Sequence, residues 1–203
     1  YVLKDRLSRL VSAVNRALHE AGERTDRKEA EQKAAHLNRL YTVLYEINEA
    51  IVRIHDRKEL LEGACRIVVE HGLFRMAWVG LVDKNTRSVK PFAHWGFGKG
   101  YLDEIQGTSG EVRGGLGPTN TAIRKRRYDV CNDLERAPYL EVWRVEGLKR
   151  GYHSMAAFPL RVGVRIAGAM SFYAGEPYFF DDEKIQLLDR LAEDISFALE
   201  HIE

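Results

Sequence analysis

Cysteine is scarce in this sequence: Cys65 and Cys131 are the only two, and neither stands in a CxxC or Cys/His spacing. That excludes a disulfide framework and a locally encoded zinc site, and it fits a reducing compartment. No apolar run approaches the ~20 residues a helix needs to cross a bilayer, so no membrane partner is expected. An excess of one charge is missing too. With 31 basic and 30 acidic residues the net charge is +1, which leaves no global field to attract nucleic acid. Internal repeats and low-complexity tracts are absent. The opening YVLKDRLSRL has neither an initiator Met nor the layout of a signal peptide. We therefore expect a piece of a longer, cytoplasmic chain. What remains is 203 residues, 45% hydrophobic and 30% charged, enough for one domain core and additional helix.

The apolar residues Leu7, Leu10, Val14, Ala17 and Ala21 step by three and four and form one helical stripe. Residues 22–36 are charged and carry no stripe, which reads as a linker helix. A second seam, Leu37, Leu40, Leu44, Ile47, Ile51 and Ile54, keeps an a/d-type spacing that favours self-association. A helix over about Lys58 to His71 is stopped by Gly72. The chain then turns to strands. Arg75–Val82 and Ser88–Trp95 form a hairpin, with Pro91 placing the second at an edge. A glycine-rich loop from Gly96 to Gly117 leads through Pro118 into a short helix ending in Arg124, Lys125, Arg126 and Arg127. Tyr128–Cys131 is a brief strand, followed by a turn at Asn132–Asp133 and a helix from about Pro138 to Arg150. Strands His153–Arg161 and Arg165–Ala174 close the sheet around a tight turn at Val162–Gly163–Val164. Asp181 caps a last helix whose stripe runs Ile185, Leu188, Ala192, Ile195, Leu199 and Ile202.

The segments LYTVLYEINEAIVR, ELLEGACRIVVEHGLFRMAWVGLVD, GPTNTAIRKRRYDVCNDL, GYHSMAAFPL and EPYFFDDEKIQLLDRLAEDISFALE, in this order, resemble the GAF family of bacterial multidomain sensors. The sensors in question are histidine kinases and diguanylate cyclases. The resemblance spans residues 40–202. It implies an α+β, PAS-like fold: a central antiparallel sheet of five or six strands flanked by helices, with a long N-terminal helix. YVLKDRLSRLVSAVNRAL is similar to the end of a response-regulator receiver domain, with Lys4 matching its phosphate-contacting lysine. The expected organisation is a receiver remnant over 1–21, a helical linker over 22–36 and a GAF domain over 37–203.

The family resemblance implies a cavity on one side of the sheet, and Trp95, Asn132, Asp133, Trp143, His153 and Tyr173 are the polar and aromatic residues placed to line it. Each also has a plain structural reading: Asn132 and Asp133 suit a turn, and Trp143 suits a core. No metal site is expected, because the histidines are scattered. Cys131 lacks the adjacent histidine of chromophore-binding relatives. GLGPTN offers backbone donors to an anion, although Gly–Pro also simply begins helices. GFGKG is a weak signal, and the basic run Arg124–Arg127 reads as a solvated helix end. His36 precedes LNRL without the acidic neighbour that a phosphoacceptor histidine needs.

The expected function is that of a sensory domain and not of an enzyme. It would bind a small molecule of unknown identity, form a homodimer through its N- and C-terminal helices, and relay a signal to an output domain. No cofactor is named. A ligand-free dimerisation connector and a methionine-sulfoxide-reductase-like enzyme stay open as alternatives, the second disfavoured because Cys131 lacks a resolving thiol.

Overall fold

The computed structural model describes residues 2–72, 74–96, 100–102 and 117–202. The chain forms two units, residues 1–38 and residues 39–203. Helix α1 is Val2–Arg53, so the first apolar stripe, the charged stretch and the second stripe as far as Ile51 belong to one helix, while Ile54 lies just past its end. In the first unit the residues from Val14 to Ala35 are exposed. Pairs such as Arg27–Glu31, 2.8 Å apart at i,i+4, support such a polar helix by ~0.2–0.5 kcal/mol each.

In the second unit α2 is Arg57–His71. Asp56 starts it by accepting from the Glu59 amide at 2.8 Å, and the Gly72 amide ends it on the Val68 carbonyl at 2.9 Å. The strands are β1 Phe74–Val82, β2 Val89–Gly96, β3 Asp129–Cys131, β4 Ser154–Val162 and β5 Arg165–Ala174. Between β2 and β3 lies α3, Pro118–Lys125. Between β3 and β4 a 3₁₀ turn, Pro138–Leu140, leads into α4, Glu141–Lys149. The chain closes with α5, Asp182–Ile202, capped by Asp181 Oδ1, which accepts from the Lys184 amide at 3.0 Å.

All strand pairs are antiparallel, in the order β2-β1-β5-β4-β3. β2 is an edge, as Pro91 requires: it sits opposite Gly80, beside a bulge that leaves Phe92 without a partner position. β1 and β5 cross closely at Gly168. A Cβ there would come within 2.1 Å of the Gly80 carbonyl oxygen.

Period-two alternation gives the sheet two apolar faces. Ala77, Val79, Ala156, Phe158, Met170 and Phe172 look one way, onto Leu40, Val43 and Ile47 of α1, Leu61 and Val68 of α2, and Leu188, Ile195 and Leu199 of α5. Met76, Trp78, Met155 and Tyr173 look the other way, into an aromatic cluster with Tyr101, Leu140, Trp143 and Tyr152. Each fully buried Leu or Ile on the helix side stabilises this layer by ~1.5–3 kcal/mol. The seam expected to serve self-association is thus largely committed to the chain's own core: Leu40 and Ile47 are buried, and Leu44 and Ile51 pack against them. Tyr41, Tyr45 and Val52 are large hydrophobic α1 side chains that remain exposed in this unit.

The element bounds shift by a residue or two from expectation. The helix expected over Pro138–Arg150 begins as a 3₁₀ turn, and α3 stops at Lys125 because Arg126 takes a left-handed conformation. Most of the Gly96–Gly117 loop falls on 97–99 and 103–116, outside the described residues. Among the described residues no helix is long and apolar enough to cross a membrane.

Candidate functional site

The aromatic face of the sheet holds a cavity of about 40 Å³. β1 supplies Trp78, β4 Met155 and β5 Tyr173. Val89 and Pro91 come from β2, Thr119 and Asn120 from α3, and Trp143 from α4. Three strands deliver side chains to one place because Trp78 lies opposite Ser171 and Met155 lies opposite Tyr173. In an antiparallel pair, residues directly opposite share a face.

The polar groups here are mostly paired with one another. Trp78 Nε1 donates to the Tyr173 hydroxyl at 3.3 Å, and the hydroxyls of Thr119 and Ser171 are 2.8 Å apart, tying α3 to β5. The rings of Tyr101, Tyr152 and Tyr173 stand 5.0–5.8 Å apart. Burial pushes the Tyr173 hydroxyl up to about 12, while its hydrogen bond from Trp78 works against the rise. Burial also raises Tyr101, whose guanidinium neighbour Arg150 sits 5.2 Å over the ring. No charged side chain lines the cavity among the described residues.

Of the six residues anticipated from sequence, the cavity brings together Trp143 and Tyr173. Trp95 pairs with Ala77, a residue of the helix-facing side, and its exposed ring borders a groove with Lys58, Glu62 and Phe92. Asn132 spends its amide on the chain before α5: Nδ2 donates to the Phe180 carbonyl at 2.8 Å, and Oδ1 accepts from the Phe180 amide at 3.0 Å. Asp133 accepts from the Arg136 amide at 3.1 Å and the Tyr178 hydroxyl at 3.0 Å. His153 joins two segments through its backbone, giving its amide proton to Ala174 and accepting from Leu134. These last three residues are the hinge pins of a turn and do not line the cavity.

Sequence reasoning missed Trp78, Met155 and Thr119. Alternation within RMAWVGLV sets Met76 and Trp78 on the face opposite Ala77 and Val79, a signal that was available. The placement of Thr119 against Ser171 depends on long-range packing with no local mark. The two thiols lie on opposite sides of the sheet, Cys65 among the terminal helices and Cys131 beside the aromatic cluster. Burial pushes Cys65 far above the usual thiol range. Among the described residues no group of His, Cys, Asp and Glu is arranged to hold a metal ion.

The model of the GAF domain family matches residues 54–200, well over half of the chain. Solved structures share the fold at low identity. The free methionine-R-sulfoxide reductase of Neisseria meningitidis, in complex with its substrate, is 17% identical with a TM-score of 0.63, covering 79% of this chain and 88% of that one. A domain assigned to a two-component sensor histidine kinase protein of Sinorhizobium meliloti is 16% identical with a TM-score of 0.57, covering 71% and 90%. The GAF domain of an Acinetobacter phosphoenolpyruvate-protein phosphotransferase is 13% identical with a TM-score of 0.58, covering 79% and 92%. No curated protein matches the sequence.

Proposed function

The chain belongs to the GAF domain family, and from that premise we propose that it is the sensory module of a bacterial, cytoplasmic signalling protein. It takes a small uncharged molecule into the aromatic cavity and passes the change through the sheet to its terminal helices. The observation that carries this reading is the division of labour across one sheet, with the cavity on one face and α1, α2 and α5 on the other. A ligand that shifts Tyr173 or Met155 also shifts Phe172 or Ala156, their chain neighbours, which pack toward α5.

A second coupling runs through Arg161. The bulge after Leu160 frees its amide from the strand ladder, and that amide donates to Ser196 Oγ of α5 at 2.9 Å. The Arg161 guanidinium meanwhile donates to the Arg126 carbonyl at the end of α3 at 2.9 Å. One residue thus joins the helix bordering the cavity to the helix that leaves the domain. A bias of ~1–3 kcal/mol between two arrangements is enough to regulate an output domain.

Homodimerisation through the terminal helices belongs to the same proposal. Tyr41, Tyr45, Val52 and Phe197 supply the exposed apolar area for it, since the a/d seam is occupied within the chain. Residues 1–21 are read as the end of a receiver domain and residues 22–36 as the linker. The module binds and does not catalyse: the separation of Cys65 from Cys131 by the sheet supports this, because a thiol relay needs the two sulfurs to meet.

The ligand-free connector has one observation in its favour. A cavity of about 40 Å³ is far below the ~300–1,000 Å³ of ordinary ligand pockets, so a metabolite enters only if lining side chains such as Trp143 give way. A thermal-shift screen with uncharged amides, indoles and small alcohols decides between the two, because a ligand of the folded state must raise the melting temperature. A hit that is lost in Trp143→Ala supports the sensor. Failure of every compound to shift the wild type supports the connector.

A further inference from the structure

The chain is almost neutral overall, and several of its surface cations sit beside carboxylates. Examples are Lys58–Glu62 at 3.8 Å, Arg66–Glu70 at 3.7 Å, Lys125–Asp129 at 3.2 Å and Lys149–Glu146 at 2.6 Å. One groove departs from this habit. It lies where the β1–β2 turn, the end of α3 and the start of β5 meet, encloses about 920 Å³, and is bordered by Arg57, Lys84, Arg87, Arg124, Arg126 and Arg165. Among the described residues its single carboxylate is Asp83. Lys90 Nζ, 2.7 Å away, and the Thr86 and Asn85 amides hold that group ionised well below the usual carboxylate range, and Lys90 offsets its charge. Among the described residues, Lys84, Arg87, Arg126 and Arg165 have no carboxylate within 4.0 Å. The like charges of Lys84, Arg87, Arg126 and Arg165 repel one another, and an anion relieves that repulsion.

Two of these arginines are also held in backbone conformations that side chains disfavour. Arg87 has φ 57° and Arg126 has φ 56°, in the left-handed region where glycine carries no penalty. Arg87 closes the hairpin turn through its amide to the Asp83 carbonyl, and Arg126 terminates α3, both positions where glycine serves the backbone better. A cation stands at each, and both cations face the same groove.

We propose that this groove is a binding site for a small anion bearing several phosphate groups, separate from the aromatic cavity and independent of what fills it. Guanidinium forks match phosphate oxygens two at a time, and arginines from the hairpin turn, α3 and β5 converge from three sides. The site abuts Arg126, whose carbonyl accepts from Arg161, the residue that also bonds α5.

Tripolyphosphate is the probe, titrated calorimetrically into the full 203-residue chain at low ionic strength. One site per chain is expected with a dissociation constant below about 1 mM, weakening steeply with added salt. The double substitution Arg87→Gly, Arg126→Gly separates charge from folding, since glycine relaxes both backbones. Its melting temperature should be no lower than that of the wild type, while affinity falls by about ten-fold or more as two cation–phosphate contacts are lost. Arg165→Gln should weaken binding in the same direction. Removing cations elsewhere, by Arg66→Gln with Arg136→Gln, should leave affinity unchanged. Absence of binding to the wild type, wild-type affinity in the double glycine variant, or equal weakening by the distant pair overturns the assignment.

Discussion

Phe172 and Tyr173 are chain neighbours on β5 that belong to opposite layers. Phe172 packs among α1, α2 and α5, whereas Tyr173 lines the aromatic cavity. A backbone shift at one is passed to the other, because a single planar peptide joins them.

The Tyr173 hydroxyl is the acceptor for the buried Trp78 indole N–H. Tyr173→Phe strands that donor and should destabilise the domain by about 1–2 kcal/mol. Trp78→Phe together with Tyr173→Phe should cost less than the sum of the single changes, since the stranded donor is gone. Urea unfolding of the four proteins measures both, and strict additivity would refute the bond.

Tyr173 should also mark an alkaline limit. Its acidity is displaced from the ordinary 10.0 to about 12, chiefly by burial. In that interval the folded form keeps the proton and the unfolded form releases it, so stability falls as pH rises from about 10 toward 12 and is unaffected below. The difference in ultraviolet titration between wild type and Tyr173→Phe reads this group together with its effect on the neighbouring Tyr101 and Tyr152. A phenolate appearing near pH 10 while the chain stays folded would contradict the burial argument.

Ser196→Ala should cost about 1 kcal/mol, because the half-buried Arg161 amide loses its acceptor at the β4 bulge. Ser196→Thr keeps an oxygen there and should recover part of the loss. Thermal melts compare the two, and equal destabilisation would mean that packing, not the hydrogen bond, matters.

Helix α1 makes two different kinds of contact within one turn. Ile47→Ala empties a fully buried position and should cost about 2–5 kcal/mol. Tyr45→Ala, at a residue 65% exposed, should leave the unfolding of one chain within ~0.5 kcal/mol of wild type. If the outward face pairs two copies, Tyr45→Lys should weaken association in sedimentation equilibrium without unfolding the chain. A wild type that stays monomeric at high concentration removes the dimer from the proposal.

Much of the fold was legible because period and punctuation agreed. Gly72, Pro118 and Asp181 mark helix ends by backbone chemistry that acts within four residues. Pro91 placed its strand at an edge for the same local reason. The candidate site was legible in part. Trp143 was foreseen from helical phase and Tyr173 from its strand, but Trp95 faces away because its parity on β2 is set by pairing with Ala77, a long-range fact. Asn132 and Asp133 were read correctly as turn residues, and their side chains prove to be spent on Phe180, Arg136 and Tyr178. The basic groove was legible only in its Arg124–Arg127 part, read there as a solvated helix end: Arg87 and Arg165 are far from that run in sequence, and the balanced overall charge conceals the cluster.

Hydrogen–deuterium exchange along α5 in Trp143→Ala, with and without added indole, probes the sheet-borne relay most directly. Removing the cavity's indole should speed exchange in Asp182–Ile202 on the far face, and free indole should restore protection there. Exchange that changes only in α3 and α4, leaving α5 as in the wild type, would contradict the account.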